Sequence, residues 1–244
     1  MQIGFGAGIL QRAGVLFSPK SVPNLELWLD ASDIATITKD GSNCVSEWRD
    51  KSGNARHAVQ GTALNQPLWI ETGKNGKATI RFDGSTDFFD SITTNKNLGT
   101  FFFVSNGSKG TGLFNNVGRL FSKLFPNEGV FAFGNSASAL TNETFTVSNN
   151  SSTSYLSTNT PIDSLSWKAI GFTTTSIYIN NATANIIRSD LDSGNLQVDL
   201  MLGKRGTAAQ YYTGDIAEVL FYNRTLTADE ITRVSNYLVQ KWGL

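Results

Sequence analysis

The chain has 244 residues, of which 40% are hydrophobic and only 16% charged, so its surface must be largely uncharged and polar. A composition rich in Thr, Ser, Asn and Gly suits short strands joined by many turns, and it argues against a helical bundle. Twenty Lys and Arg balance twenty Asp and Glu, and no basic stripe is present, which argues against nucleic-acid binding.

The cysteine count and the hydropathy pattern bear on where the protein is made. Cys44 is the only cysteine, so the monomer forms no internal disulfide, which is typical of a reducing compartment. No apolar run approaches the roughly 18 residues that a membrane-spanning helix needs. The apolar start of the chain is interrupted by glycines and has no cationic segment before it. We therefore predict neither a signal peptide nor membrane insertion.

Residues 1–23 form a Gly-rich arm with no sustained hydrophobic period. Its apolar side chains cannot build a core of their own, so they must pack on something else or stay disordered. Two interpretations remain open: an extra strand on the domain's own sheet, or a docking arm that joins a larger assembly. The docking residues would be Ile3, Phe5, Ile9 and Leu10.

From Asn24 onward the pattern is that of β-strands. Leu25, Leu27 and Leu29 alternate with polar or mixed residues and predict one apolar face. Similar short segments follow, separated by polar turns: 78–83, 100–104, 129–133, 167–172, 176–180, 197–202 and 215–222. Many short strands without intervening helices predict an all-β, two-sheet antiparallel sandwich that occupies residues 24–244 as one domain.

The chain closes on a helix, predicted over 228–242. Thr227 and Glu230 have the spacing of a capping box, which satisfies free backbone donors at the start of a helix. Ile231, Val234, Leu238 and Trp242 recur on one face, and Gly243 suits the position that ends a helix. This apolar stripe is expected to lie against the sandwich.

Several segments together resemble one family, the laminin G-like jelly rolls of the concanavalin A-like lectin and glucanase superfamily. The resemblance begins with Trp-Leu-Asp-Ala-Ser-Asp at 28–33, the segment at 45–54 and Ile-Arg-Phe-Asp-Gly at 80–84. It is stronger at the end, where Gly-Asp-Ile-Ala-Glu-Val-Leu-Phe-Tyr-Asn-Arg at 214–224 leads into the closing helix. The similarity covers about residues 23 to 244 and is weak between about 100 and 165.

The resemblance implies a concanavalin A-like jelly roll whose concave face or rim loops often bind carbohydrate, sometimes with calcium. It does not imply a reaction, because the same fold carries lectins, hydrolases and adhesive modules. Modules of this kind also recur in phage tail and capsid-surface proteins.

Candidate catalytic carboxylates fail on spacing. Glycoside hydrolysis needs two carboxyl groups about 5 to 9.5 Å apart, and the Glu-x-Asp-x-x-Glu pattern of the family's hydrolases is absent. Glu26 and Asp30 share a strand face but lie about 13 Å apart, and an unbulged strand would point Asp215 and Glu218 to opposite faces. With His57 as the only histidine, we expect no enzyme, although carboxylates paired across strands keep a hydrolase as an alternative.

Two turns contain oxygen donors of the kind that calcium prefers. Asp50 and Asn54 belong to the first turn, and Asp83 and Asp87 to the second, while Asp30 and Asp33 are expected near the same end of the sandwich. Such residues more often cap turns through their own backbone. The cofactor expectation is therefore none, with calcium as the alternative.

Sugar sites generally combine an aromatic platform with polar groups. Tyr211 and Tyr212 follow a loop-like segment and are the better exposed candidates, and Trp69 follows Pro67 as a possible rim residue. Trp28, Trp48 and Trp167 lie inside strand patterns and are expected in the core.

The function that these observations favour is a non-enzymatic virion surface protein, either a phage capsid decoration, a fibre or a tail component. The protein would be made in the host cytoplasm, anchored by its arm, and bind host-surface glycans. Its expected partners are other virion structural proteins and cell-surface glycans, and we expect a homo-oligomer. The first alternative is a free lectin, possibly calcium-dependent, and the second is a glycan hydrolase.

Overall fold

The computed structural model of the protein describes residues 17–108, 118–122, 130–133, 145–151, 154–158, 166–184, 186–189, 197–204 and 211–244. Eighteen strands account for most of these residues. In chain order they are β1 Leu25–Asp30, β2 Ile37–Lys39, β3 Val45–Trp48, β4 Ala58–Val59, β5 Leu68–Lys74, β6 Lys77–Asp83, β7 Phe89–Asn97, β8 Thr100–Ser108, β9 Gly118–Ser122, β10 Val130–Phe133, β11 Phe145–Ser151, β12 Ser154–Thr158, β13 Lys168–Phe172, β14 Ile177–Ile179, β15 Ala182–Thr183, β16 Ile186–Ser189, β17 Gln197–Leu202 and β18 Thr213–Tyr222. Short 3-10 turns span Pro19–Ser21, Ile34–Thr36 and Ala63–Asn65.

The strands form two large sheets and one small sheet. The first sheet has the order β15-β14-β13-β8-β18-β6-β5, with β1 also paired to β18. The second has the order β16-β12-β11-β10-β9-β17-β7, and the small sheet the order β2-β3-β4. All described pairings are antiparallel, which confirms the predicted antiparallel β-sandwich.

Strand β18 organises the first sheet. Its first half pairs with β6, from Thr213 opposite Asp83 to Ile216 opposite Ile80. Its second half pairs with β1 along the same edge, and β8 runs along the whole of its other edge. The start of β18 therefore lies beside the turn that follows β6, whereas its end lies beside the start of β1.

The main core fills the space between the two large sheets. The first sheet contributes buried residues that include Leu27, Leu29, Ile80, Phe82, Phe101, Phe103, Phe172, Ile216, Val219 and Phe221, and the second contributes Phe89, Ile92, Leu200 and Leu202. Each fully buried side chain of this size stabilises the fold by about 1.5 to 3 kcal/mol relative to exposure. The alternation of apolar residues along the strands is what places them on these inner faces.

The helix α1, Ala228–Trp242, covers the other face of the first sheet, as predicted. Both hydrogen bonds of the Thr227 and Glu230 capping box form, and Gly243 ends the helix at a φ of 63°. The predicted stripe, Ile231, Val234, Leu238 and Trp242, is buried against residues that include Trp28, Phe102 and Leu220. Within the described ranges, no helix combines the length and the apolar character needed to cross a membrane.

Residues 17–22, which belong to the segment predicted as an arm, lie on this helix layer. Val22 is buried there, and the ring of Phe17 packs 5.8 Å from that of Tyr237 in α1. The hydroxyl of Tyr222 donates to the carbonyl oxygen of Pro19. The predicted docking residues Ile3, Phe5, Ile9 and Leu10 lie outside the described residues.

One predicted strand face differs from the structure. Leu27 and Leu29 face the main core, but Leu25 packs with the residues under the helix. The pairing of β1 with β18 shifts by one position between Leu25 and Leu27, so the alternation changes face there. Trp28 and Trp48 are buried as predicted, and Trp167 packs, partly buried, beside the helix layer.

Candidate binding rim

The structure does not bring the predicted calcium ligands together. Asp30 is 4% exposed and accepts from the ammonium groups of Lys51 at 2.9 Å and Lys241 at 2.7 Å. Asp33 forms an ion pair with the same Lys51 at 2.8 Å and also caps the backbone N–H of Ala35. Lysine therefore occupies the place that a cation would take beside both carboxylates.

Asp50 and Asn54 instead organise their own loop. The carboxylate of Asp50 accepts backbone N–H groups from Trp28 at 2.9 Å, Ser52 at 2.8 Å and Arg56 at 3.1 Å. Asn54 donates its side-chain amide to the carbonyl oxygen of Leu25. This is the turn-capping role that Asp and Asn commonly have, here extended to the neighbouring strand β1.

The second predicted turn is similarly self-contained. Burial alone would raise the pKa of Asp83. Its carboxylate, however, accepts hydrogen bonds from the Ser85 hydroxyl and from the backbone N–H groups of Ser85, Thr86 and Asp87. These hydrogen bonds outweigh the effect of burial and hold the pKa of Asp83 well below its ordinary value. Asp87 accepts from the N–H of Asp83 and is 7% exposed. Burial, with repulsion from Asp83, raises the pKa of Asp87 to about 6.

No group of three His, Cys, Asp or Glu residues able to hold a metal ion occurs in the part of the chain that the structure describes. The six predicted ligands are divided between a lysine-neutralised pair and two capped turns. In both turns, hydrogen bonds within the protein account for the positions of the Asp and Asn side chains.

The carboxylates considered for hydrolysis are also engaged. Glu26 pairs with Arg56 and accepts from the amide of Asn223. Asp215 pairs with Arg81 through contacts of 2.7 and 3.0 Å. Neither group is presented to a ligand.

Asp215 and Glu218 lie on the same face of β18, contrary to the expectation for an unbulged strand. The pairing of β18 with β8 shifts between Ile216 and Glu218, so Ala217 is an extra residue. Asp215 meets Arg81 on the outward face of the sheet, and Glu218 contacts helix α1 on that same face. The shared face is the one covered by the helix rather than an open groove.

Glu218 is fully buried and accepts four hydrogen bonds. The donors are Nε1 of Trp28 at 2.8 Å, the hydroxyl of Tyr237 at 2.8 Å, Nζ of Lys241 at 2.7 Å and Nε1 of Trp242 at 2.7 Å. Burial, with the nearby charge of Asp30, raises its pKa. This arrangement joins the helix to the sheet and has a structural role.

A different group of side chains offers a surface for a ligand. Phe88 and Tyr211 are partly exposed, and their ring centroids lie 6.5 Å apart at an interplanar angle of 53°. The ammonium group of Lys204 lies 4.5 Å from the centre of the Phe88 ring and 5.3 Å from that of Tyr211. We name Phe88, Lys204 and Tyr211 the aromatic rim.

The backbone around the aromatic rim is closely fixed. Lys204 and Tyr211 form an isolated antiparallel bridge, and the N–H of Tyr212 donates to the carbonyl oxygen of Gly203 at 2.8 Å. Gly203 has a φ of 87°, and a Cβ there would meet the Phe82 ring at 2.4 Å, so no other residue fits. The amide of Gln60 donates to the carbonyl oxygen of Phe88 at 2.9 Å.

Of the three predicted sugar contacts, only Tyr211 belongs to the aromatic rim. Tyr212 is fully buried, and its hydroxyl donates to the carbonyl oxygen of Asn106 at 2.7 Å, which corrects the prediction that it is exposed. Neighbouring residues of an extended chain point to opposite sides, so one tyrosine of the pair had to face the core. Trp69 lies elsewhere, partly buried, with Lys39 5.0 Å from its ring centre and Nε1 donating to Ala31.

Sequence patterns did not identify Phe88 or Lys204 as residues of a binding site. Phe88 follows the Asp83–Asp87 turn and directly precedes the buried Phe89, so the same alternation rule could have identified it as the outward residue. Lys204 offered no such signal. Its place over the two rings depends on the bridge with Tyr211, which brings together two chain positions outside any regular strand.

No protein-family model matches the sequence, and no curated protein matches it. Among solved structures, domain 4 of AbnA, a GH43 extracellular arabinanase from Geobacillus stearothermophilus in complex with arabinotriose, is similar with a TM-score of 0.54 and 15% identity, over 87% of this chain and 98% of that one.

Two other similar structures are larger proteins. The Trypanosoma rangeli sialidase in complex with sialic acid has a TM-score of 0.57 and 12% identity, over 90% of this chain and 33% of the sialidase chain. The binding domain of Paraclostridial Mosquitocidal Protein 1 has a TM-score of 0.57 and 12% identity, over 90% of this chain and 53% of that one. This chain therefore spans about a third to a half of those two chains. At these identities the similarity shows the fold alone, an antiparallel jelly-roll β-sandwich, which in this chain ends in helix α1.

Proposed function

We propose that the protein is a non-enzymatic, laminin G-like glycan-binding module displayed on a phage virion, and that the aromatic rim is its binding surface. The observation that carries the glycan part is the pairing of two partly exposed aromatic rings, Phe88 and Tyr211. The similar AbnA domain, which matches almost along its whole length, is in complex with arabinotriose, and this supports a saccharide as the ligand.

The aromatic rim has features that favour a saccharide. A sugar ring places its C–H groups on an aromatic face, while its hydroxyls need polar partners and water. The backbone of Tyr211 pairs with that of Lys204, and the backbone carbonyl of Phe88 accepts from the amide of Gln60, so the backbone under both rings is hydrogen-bonded within the protein. A pre-organised surface loses little conformational entropy on binding, which favours affinity.

The state of the carboxylates supports a binding role over hydrolysis. Glu26, Asp215 and Glu218 are each committed to internal ion pairs or buried hydrogen bonds. A general acid or nucleophile must instead reach the scissile bond. Release of reducing ends from a polysaccharide panel would favour the hydrolase alternative.

Replacing Phe88 or Tyr211 with alanine is expected to weaken glycan binding about tenfold or more, because truncating a central aromatic contact commonly removes more than 1 kcal/mol. A glycan array, followed by calorimetry on the strongest ligand, measures the loss. Trp69→Ala is the matched control, since Trp69 lies away from the aromatic rim. This variant should bind glycan about as tightly as the unmodified protein. Unchanged binding by both rim variants would reject the aromatic rim as the site.

The place at which the N-terminal segment meets the domain supports display through an N-terminal anchor. Residues 1–16 meet the domain at Phe17, whose ring packs on Tyr237 of helix α1, and the chain then reaches Asn24 beside the end of β18, where Asn24 accepts the N–H of Asn223. The aromatic rim lies near the other end, where Thr213 pairs with Asp83. Tyr237 donates to Glu218 in the middle of β18, and the strand from Thr213 to Glu218 spans about 17 Å. A domain held through residues 1–16 would present the aromatic rim away from its attachment.

Truncation after residue 16 tests the attachment. We expect the shortened protein to fold and to bind glycan like the full chain, but not to join the virion, where other virion structural proteins would be its partners. Truncation at this point preserves the contacts of Phe17 and Val22 with the helix layer. Incorporation into particles is measured by co-purification with virions, and undiminished incorporation would contradict the anchoring role.

Mass measurement in solution would test the expected homo-oligomer.

A further inference from the structure

Leu64 is the most exposed large apolar side chain among the described residues, at 86% of its full accessibility. Ile34, Val59 and Leu68 are the other exposed ones, at 52%, 44% and 38%. Single exposed leucines are common on protein surfaces. The position of Leu64 relative to the aromatic rim is what separates it from such cases.

The turn that carries Leu64 is fixed by hydrogen bonds on both sides. Asn65 donates its N–H to Thr62 at 2.9 Å, and the amide of Gln66 donates to the carbonyl oxygen of Gln60 at 2.9 Å. The amide oxygen of Gln60, a residue 2% exposed, accepts from the N–H of Thr62 at 2.9 Å. These bonds fix the backbone of the turn, and the side chain of Leu64 faces solvent.

The same turn is bonded directly to the aromatic rim. The N–H of Phe88 donates to the carbonyl oxygen of Asn65 at 3.1 Å, and the carbonyl oxygen of Phe88 accepts from the amide of Gln60 at 2.9 Å. Both backbone groups of Phe88 are therefore held by the segment that carries Leu64. The two side chains rise from adjoining backbone, one aromatic and one aliphatic.

We infer that the aromatic rim selects saccharides that carry a methyl-bearing substituent, namely acetamido or O-acetyl sugars or deoxy sugars such as fucose and rhamnose. This inference rests on the proposed function, because it takes the aromatic rim as a saccharide site. We take a ring stacked on Phe88 to place one of its substituents beside Leu64, because the carbonyl oxygen of Asn65, the next residue after Leu64, accepts the N–H of Phe88. A hydroxyl there gains no partner from an aliphatic side chain, whereas a methyl group is removed from water.

The expected preference is modest because the surface is open. Burial of one methyl-sized group corresponds to about a threefold to tenfold gain in affinity. Two sugar pairs measure it: N-acetylglucosamine against glucose, which differ by an acetamido group in place of a hydroxyl, and D-fucose against D-galactose, which differ by a methyl in place of a hydroxymethyl group at C6. We expect the methyl-bearing member of each pair to bind more tightly to the unmodified protein.

Leu64→Ala should abolish the preference while leaving the affinity for glucose and galactose nearly unchanged. Ile34→Ala is the matched control, since Ile34 is an exposed aliphatic residue outside the segment bonded to Phe88. Saturation-transfer NMR gives a second readout, in which the acetyl methyl of N-acetylglucosamine should lose signal relative to the ring protons in Leu64→Ala only.

The outcomes separate this inference from the proposed function. Equal binding of both members of each pair, or a preference that survives Leu64→Ala, would overturn the role of Leu64 and leave the glycan-binding proposal standing. Binding of no saccharide at all would overturn both. A loss of all binding in Leu64→Ala, with an unchanged melting temperature, would also contradict selection of the methyl group, because it would make Leu64 a general contact.

Discussion

Replacing Glu218 with alanine is expected to lower the free energy of unfolding by about 3 to 5 kcal/mol, the range typical when one partner of a buried ion pair is removed. The carboxylate is fully buried between the first sheet and helix α1. Its removal leaves the indole N–H groups of Trp28 and Trp242 and the hydroxyl of Tyr237 without their acceptor. Urea unfolding followed by tryptophan fluorescence measures the change.

The three neutral donors around Glu218, rather than Lys241, account for the size of the expected effect. The ammonium group of Lys241 contacts both Glu218 and Asp30 at 2.7 Å, so it balances two carboxylates that would otherwise repel each other. In Glu218→Ala the side chains of Asp30 and Lys241 remain paired, but three neutral donors lose their bonds in a buried setting. An unpaired buried donor costs about 1 to 3 kcal/mol.

Two controls define the Glu218 result. Glu218→Gln retains one acceptor oxygen and should be destabilised by less than Glu218→Ala. Glu47→Gln breaks an ion pair with Arg49 that is partly exposed to solvent, and we expect a change of about 0 to 1 kcal/mol. A loss below 1 kcal/mol for Glu218→Ala would contradict the role of Glu218 as the link between helix and sheet.

The parts of the fold that depend on local pattern could be predicted from the sequence. The capping pair Thr227 and Glu230 fixed the start of the helix, and alternation located strands such as β6, β13, β17 and β18. These signals follow from periods of 3.6 and 2 residues, which a single segment carries by itself. The small sheet β2-β3-β4 was missed because its strands are only two to four residues long.

The remaining features depend on contacts between distant segments. The bulge at Ala217 appears only in the pairing of β18 with β8, so the sequence alone predicted opposite faces for Asp215 and Glu218. The lysines that neutralise Asp30 come from a loop and from the final helix, far apart in the chain. For the same reason Lys204, which reaches Phe88 and Tyr211 only through the folded backbone, could not be recognised as part of a site.

The sequence allows two roles for Asp50, that of a calcium ligand and that of a turn cap. A substitution of Asp50 distinguishes the two roles. Its carboxylate accepts three backbone N–H groups and the hydroxyl of Ser52, and so joins the loop to β1 at Trp28. Asp50→Ala leaves those donors unsatisfied, and we expect a loss of about 2 to 4 kcal/mol in the free energy of unfolding. The same loss should be measured with calcium and with a chelator.

Asp40→Ala is the matched control for Asp50, because Asp40 accepts two backbone N–H groups, from Ser42 and Cys44, in a turn open to solvent. Water can replace a cap at the surface, so its removal should cost about 0.5 to 1 kcal/mol. The difference between the two variants would measure what partial burial and the two further hydrogen bonds of Asp50 add. A melting temperature that rises with calcium in the unmodified protein, and not in Asp50→Ala, would instead identify Asp50 as a cation ligand. Loss of stability in Asp50→Ala without any response to calcium would mean that the loop is held by its own hydrogen bonds rather than by a cation.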